Sequence, residues 1–112
     1  MDKYFGGFRD AEDVKEEFSK PDNPATEDEI LFAEYYAEAY EGSAFVLFKR
    51  DGKLYEVLGA HCSCYGLEDQ WKPEETSWAA LKMRPNNDYY GVHDGQEVLN
   101  KLIEDGLEEE GS

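Results

Sequence analysis

The apolar pattern is most legible between Ala44 and Ala60. Ala44-Phe45-Val46-Leu47-Phe48 is an unbroken apolar run, and Leu54-Tyr55-Glu56-Val57-Leu58 runs back after Asp51-Gly52. The Asp-Gly pair supplies the positive φ values of a tight primed turn, so the stretch predicts a hairpin with strands at Ala44–Arg50 and Leu54–Ala60. The first strand carries apolar residues on both faces. Both faces of the sheet are therefore expected to be covered, one by helices and the other by the N-terminal arm or a second copy of the chain.

Before the hairpin, Ala11, Val14 and Phe18 share one helical face behind Asp10, an N-cap residue with Asp13 three positions on. A helix is expected over Asp10–Lys20, ending at Pro21 because the residue before proline is pushed out of the α region. Tyr4, Phe5 and Phe8 flank Gly6-Gly7, a pair that disfavours helix; these aromatics are expected to tuck the arm against the core. Thr26 to Tyr40 carries two signals. Thr26-Glu27-Asp28-Glu29 matches a capping box, whereas Ile30, Phe32, Tyr35 and Tyr36 favour a strand. A lone hairpin is marginal in water, so a strand at Ile30–Tyr36 is expected to complete the sheet.

After the hairpin, Pro73-Glu74-Glu75 has the composition of a helix start, with Trp78 and Leu81 on the buried face and Arg84-Pro85 as the stop. Val98, Leu99, Leu102 and Ile103 recur at helical spacing, with Gly106 placed as a C′ residue. Helices are expected at Pro73–Arg84 and Gln96–Asp105, with a frayed acidic tail from Leu107. The resulting fold class is α+β, a three-stranded antiparallel sheet packed against three helices, in one domain of 112 residues.

Charge changes the functional picture more than the fold. There are 27 acidic residues against 11 basic ones, a net charge of −16. Such a field repels nucleic acid and anionic membrane, so direct binding to either is not expected. It suits a solvated surface, an acidic face docking on a basic protein in the place of nucleic acid, or divalent-cation binding by clustered carboxylates, the last disfavoured because no D-x-[DN]-x-[DN]-G loop is present. The docking face directs attention to Glu34-Tyr35-Tyr36-Ala37-Glu38-Ala39-Tyr40-Glu41. On a strand, Glu34, Tyr36, Glu38 and Tyr40 project to one side, carboxylates interleaved with rigid aromatic area. Glu41 and Asp88 extend the candidate partner-binding set.

Both cysteines fall in His61-Cys62-Ser63-Cys64-Tyr65-Gly66. With His93, the residues His61, Cys62 and Cys64 make a four-ligand alternative for zinc. The C-x-C spacing argues against it, since structural zinc sites use two or more intervening residues to let thiolates converge. Packing as small hydrophobes at a strand end is the simpler role. No catalytic signature surrounds the cysteines, and no phosphate-cradling glycine loop is present, so a non-enzymatic protein is expected. No apolar run reaches membrane-spanning length, and no basic-then-apolar leader opens the sequence; a cytoplasmic setting with reduced thiols is the expectation.

Tyr40-Glu41-Gly42-Ser43-Ala44, Asp51-Gly52-Lys53-Leu54-Tyr55-Glu56-Val57 and His61-Cys62-Ser63-Cys64-Tyr65-Gly66-Leu67-Glu68, followed by Trp71 and Pro73-Glu74, carry a resemblance. Over about Ile30 to Leu81 the chain resembles a group of small uncharacterised acidic proteins encoded by bacteriophages and prophages. The resemblance implies an origin and no functional residue. It makes a host protein the expected partner, with inhibition of a nucleic-acid-directed defence system (an anti-CRISPR-like role) among the implied functions.

Overall fold

The structure is a computed structural model that describes residues 3–37, 41–62, 67–83, 92 and 94–110. In chain order the elements are β1 (Tyr4–Gly6), α1 (Ala11–Glu17), β2 (Ile30–Ala37), β3 (Glu41–Arg50), β4 (Lys53–Cys62), β5 (Glu74–Thr76), α2 (Trp78–Lys82) and α3 (Gln96–Glu110). The fold is α+β, as expected, but the sheet has five strands in the order β1-β2-β3-β4-β5 and is mixed, because β1 runs parallel to β2.

The expected hairpin forms the centre. Asp51 and Gly52 both take positive φ (54° and 78°), and β3 pairs with β4 in unbroken register from Arg50↔Lys53 to Glu41↔Cys62. The strand expected at Ile30–Tyr36 is β2. The competing capping-box signal is also real, but it closes only a single turn. The Glu29 side chain accepts from the Thr26 amide, and the Glu29 and Ile30 amides return to the Thr26 carbonyl. The chain then enters the sheet, where pairing with β3 overrides the local helical preference.

Two edge strands account for the difference from a three-stranded sheet. β1 is three residues long, too short for a periodic signal. Gly6 sits against β2 at φ 66°, where a Cβ would lie 2.1 Å from the Tyr35 carbonyl oxygen. β5 occupies Glu74–Thr76, where the composition pointed to a helix start. The β4 edge offers ladder partners at Leu54–Glu56. The helix begins later, at Ser77, whose hydroxyl accepts from the Ala80 amide. α1 ends at Glu17 rather than Lys20, because Ser19 and Lys20 turn into positive φ and their amides bond back to Glu16 and Lys15. The residues from Leu107 to Glu110 are not a frayed tail; they continue α3. Gly106 is not a terminator either. It lies mid-helix, where a Cβ would approach the Trp78 ring to 2.2 Å.

The sheet is covered on both faces by the chain itself. On one face Phe8 of the N-terminal arm, Val14 of α1, and Phe18 and Ala25 after it pack over Ile30, Ala33, Val46, Phe48 and Val57. Trp71 joins them, stacked 5.8 Å from Phe48 and edge-on to Phe18, with its indole N–H donated to the Asn23 carbonyl. On the other face α2 and α3 deliver Trp78, Leu81, Leu99 and Ile103 onto Phe32, Phe45, Leu47 and Leu54. A bulge in β2 between Ile30 and Phe32 puts these two residues, which would share a face in a regular strand, on opposite faces of the sheet.

Candidate functional site

The residues proposed from sequence separate into three groups. Glu34 is described fully, and it does not face outward. It is 1 % exposed, and its carboxylate accepts from the Asp94 amide at 3.1 Å and the Gly95 amide at 2.7 Å. Gly95 in turn supplies the carbonyl that receives the Leu99 amide, so Glu34 reaches from β2 to close the N-terminus of α3. The expectation that Glu34 heads an exposed contact strip is corrected: the layer of α3 lies over that face of β2. Tyr36 is half-buried at the end of the same strand.

Glu41, His61 and Cys62 belong to strand backbone, with Glu41 opposite Cys62 and Gly42 opposite His61. Their side chains lie outside the description. Glu38, Tyr40, Cys64, Asp88 and His93 fall outside the described residues altogether. Among the described residues, no group of three or more His, Cys, Asp or Glu side chains is arranged to hold a metal ion, and no helix is long and apolar enough to cross a membrane.

α3 is where the described structure concentrates exposed charge. Its sequence, QEVLNKLIEDGLEEE, holds Glu97, Glu104, Asp105, Glu108, Glu109 and Glu110 against the single Lys101. All of these are exposed. Glu104 pairs with Lys82 of α2 at 2.6 Å, and Glu110 accepts from the Trp78 and Ala79 amides, capping α2 across the helix pair. Asp105, Glu108 and Glu109 face solvent beside them. The last turn contains no basic residue. Carboxylates there oppose the negative end of the helix dipole, an arrangement that costs a few tenths of a kcal/mol or more per group. Residues 104–110 place five carboxylates on about 10 Å of helix axis at ~1.5 Å rise per residue. Glu104 is matched by Lys82 and Glu110 is turned onto α2, so the stretch is strongly acidic but carries less net charge per length than duplex DNA, with its one charge per ~1.7 Å.

The other charged contacts serve structure. Arg50 makes a two-pronged pair with Glu29, its guanidinium nitrogens 2.7 Å and 2.6 Å from the two carboxylate oxygens, and also donates to the Pro24 carbonyl. The Arg50 guanidinium is the main reason the Glu29 carboxyl is held at about 2. Tyr4 donates to Glu27; burial first, then that acidic neighbour, pushes its phenol above the ordinary tyrosine value. Burial likewise raises Tyr35, helped by the charges of Glu17 and Glu68.

One concavity sits at the outer edge of β4, a cavity of about 280 Å³ lined by Glu56, Leu58, Asp69, Gln70, Lys72 and Glu74. Glu56 is 4 % exposed, an acidic side chain turned by the strand pleat onto the same face as Leu54 and Leu58. Sequence reading missed both this notch and the α3 surface. Glu97, Glu104 and Asp105 fall in the helix expected from sequence, whereas Glu108, Glu109 and Glu110 lie in the stretch whose composition reads as a frayed tail.

No protein-family model, curated protein or solved structure matches the chain.

Proposed function

We propose that this chain is a phage-type, non-enzymatic interaction protein that engages a basic surface of a host factor in the host cytoplasm. Its most concrete form is an inhibitor of a nucleic-acid-directed defence complex, with protein carboxylates standing in for phosphates. The observation that supports this reading is the outer face of α3. Exposed carboxylates are concentrated there, at a helix end where they oppose the dipole. A cationic partner relieves that repulsion and gains the counterion-release advantage nucleic acid would give. Tyr36, Glu38, Tyr40, Glu41 and Asp88 remain proposed contributors; Glu34 is withdrawn from the set, because α3 uses it.

The test is capture from a bacterial host lysate, followed by reconstitution with the purified partner. Binding is expected to weaken steeply between ~0.1 and ~1 M salt, where the screening length falls from about 10 to about 3 Å. Duplex DNA is expected to compete. Binding that is unchanged at ~1 M salt, or indifferent to DNA, rejects the charge-based reading. One zinc per chain, lost when Cys62 and Cys64 are alkylated, would redirect the function to a metal-binding module.

A further inference from the structure

The edge of β4 is completed in an unusual way. β5 pairs with β4 only as Leu54↔Thr76, Tyr55↔Glu75 and Glu56↔Glu74. Continuing that register places Lys72 opposite Leu58 and Gln70 opposite Ala60. The ladder stops at Glu74, and the next residue back is Pro73, whose fixed φ near −65° is far from that of a strand. At Ala60 the backbone partner is replaced by a side chain. The Ala60 amide donates to Gln70 Oε1 at 2.8 Å, and Gln70 Nε2 donates to the Ala60 carbonyl at 2.7 Å. One amide group thus makes both bonds that a neighbouring strand residue would make.

This geometry sets the segment 70–73 away from β4 by the length of a glutamine side chain. In an antiparallel strand, outward-pointing backbone groups recur every second residue, so Leu58, like Ala60, turns its N–H and C=O toward this edge. The cavity of about 280 Å³ lies there, between the Gln70 strut and the start of β5. Its lining residues include Glu56, Asp69 and Glu74 against one basic residue, Lys72. At about 280 Å³ the cavity lies at the lower edge of the range of small-ligand sites and has room for one long side chain.

Resting on the interaction reading above, we propose that this notch receives an arginine side chain of the basic partner. A guanidinium offers five donors in a planar fork and no acceptor. It suits a site lined by three acidic residues and one lysine, with a net negative charge. A buried, pocket-filling arginine is also the type of side chain that dominates interface energetics. The notch lies on β4 and the 69–74 segment, so it adds a specific anchor to the diffuse charge of α3.

The probe is N-acetyl-arginine amide, titrated into the isotopically labelled protein, with acetyl-citrulline amide and acetyl-lysine amide as controls. Saturable shifts are expected at the Leu58 and Ala60 amides and the Gln70 side-chain amide. Affinity should be at least tenfold weaker for neutral citrulline and weaker for lysine. Glu74→Gln, a change at an exposed residue that leaves the fold in place, should reduce affinity several-fold. Glu56→Gln should do the same where its spectrum remains folded. Equal shifts from arginine and citrulline, or arginine shifts confined to α3, overturn the proposal. The outcome is separable from the general reading. Salt-sensitive capture of a basic partner that is indifferent to Glu74→Gln leaves the α3 reading standing and removes the notch. An arginine-filled notch with no basic partner captured does the reverse.

Discussion

Glu34 couples two layers of the molecule through one carboxylate. Its oxygens take the Asp94 and Gly95 amides, donors that α3 cannot satisfy internally. Glu34→Ala would leave both without that acceptor and is expected to cost about 2–3 kcal/mol, whereas Glu34→Gln, which keeps one acceptor oxygen, should cost about half. Urea unfolding measures both; an alanine variant as stable as the parent would show that the bonds carry no weight. Glu29 and Arg50 give a pH signature. The folded Glu29 value of about 2 lies below the ordinary 4.5, so the pair's contribution is complete above ~4.5 and is lost as pH falls toward 2. Both side chains are 22 % exposed, which limits the effect to about 1–2 kcal/mol. Arg50→Met should therefore lower stability at pH 7 and flatten its decline between about pH 4.5 and 2, read as melting temperature across that range. A variant with the parent's acid slope would count against this assignment. Tyr4 has the opposite sign: its raised value contributes stability below the ordinary 10 that disappears as the phenol ionises at higher pH.

At the scale of elements, α2 and α3 hold each other. α2 is five residues long, too short to persist alone, and it borrows Glu110 as a second cap beside its own Ser77. Glu110→Ala should cost about 1 kcal/mol and speed hydrogen exchange at the Trp78 and Ala79 amides ahead of the rest of the molecule. Unchanged exchange at those two amides would remove the capping role. Gly106 tests which of two effects wins. Alanine gains ~1 kcal/mol in helix propensity over glycine, but its Cβ would meet the Trp78 ring at 2.2 Å. Overpacking a closed core costs about 1–3 kcal/mol, and at this separation the ring must move. Gly106→Ala is therefore expected to lower the melting temperature by several degrees; a rise would show that the two helices slide apart without penalty. The β1 and β5 edges were illegible for a related reason. Three-residue strands carry no periodicity, and their state depends on whether a neighbouring edge accepts them. Pro73-Glu74-Glu75 has the chemistry of a helix start. Only the β4 ladder makes it a strand.

For the molecule as a whole, charge and fold are separable. The variant carrying Asp105→Asn, Glu108→Gln and Glu109→Gln removes exposed carboxylates from the negative end of the α3 dipole, so it should stay folded and be as stable as the parent or more stable by about 1 kcal/mol. Under the proposed function the same variant loses affinity for its basic partner and shows a shallower salt dependence. Equal affinity and equal salt slope would place the binding surface elsewhere.

By itself the sequence determined what local chemistry and strict periodicity can determine. Asp51-Gly52 and its flanking apolar runs specify the hairpin, Asp10 starts α1, and composition alone sets the net charge of −16. The side of the molecule on which that charge acts was a tertiary decision. Glu34 and Glu109 are both carboxylates in acidic, helix- or strand-compatible stretches. The first is drawn inside because α3 presents two unsatisfied amides above β2, and the second is left in water because the stripe of Leu99 and Ile103 turns the opposite side of α3 toward the sheet. Long-range partners of that kind, 60 residues apart for Glu34 and Asp94, have no local signature, because the bond that fixes each residue's role forms only when the layers close.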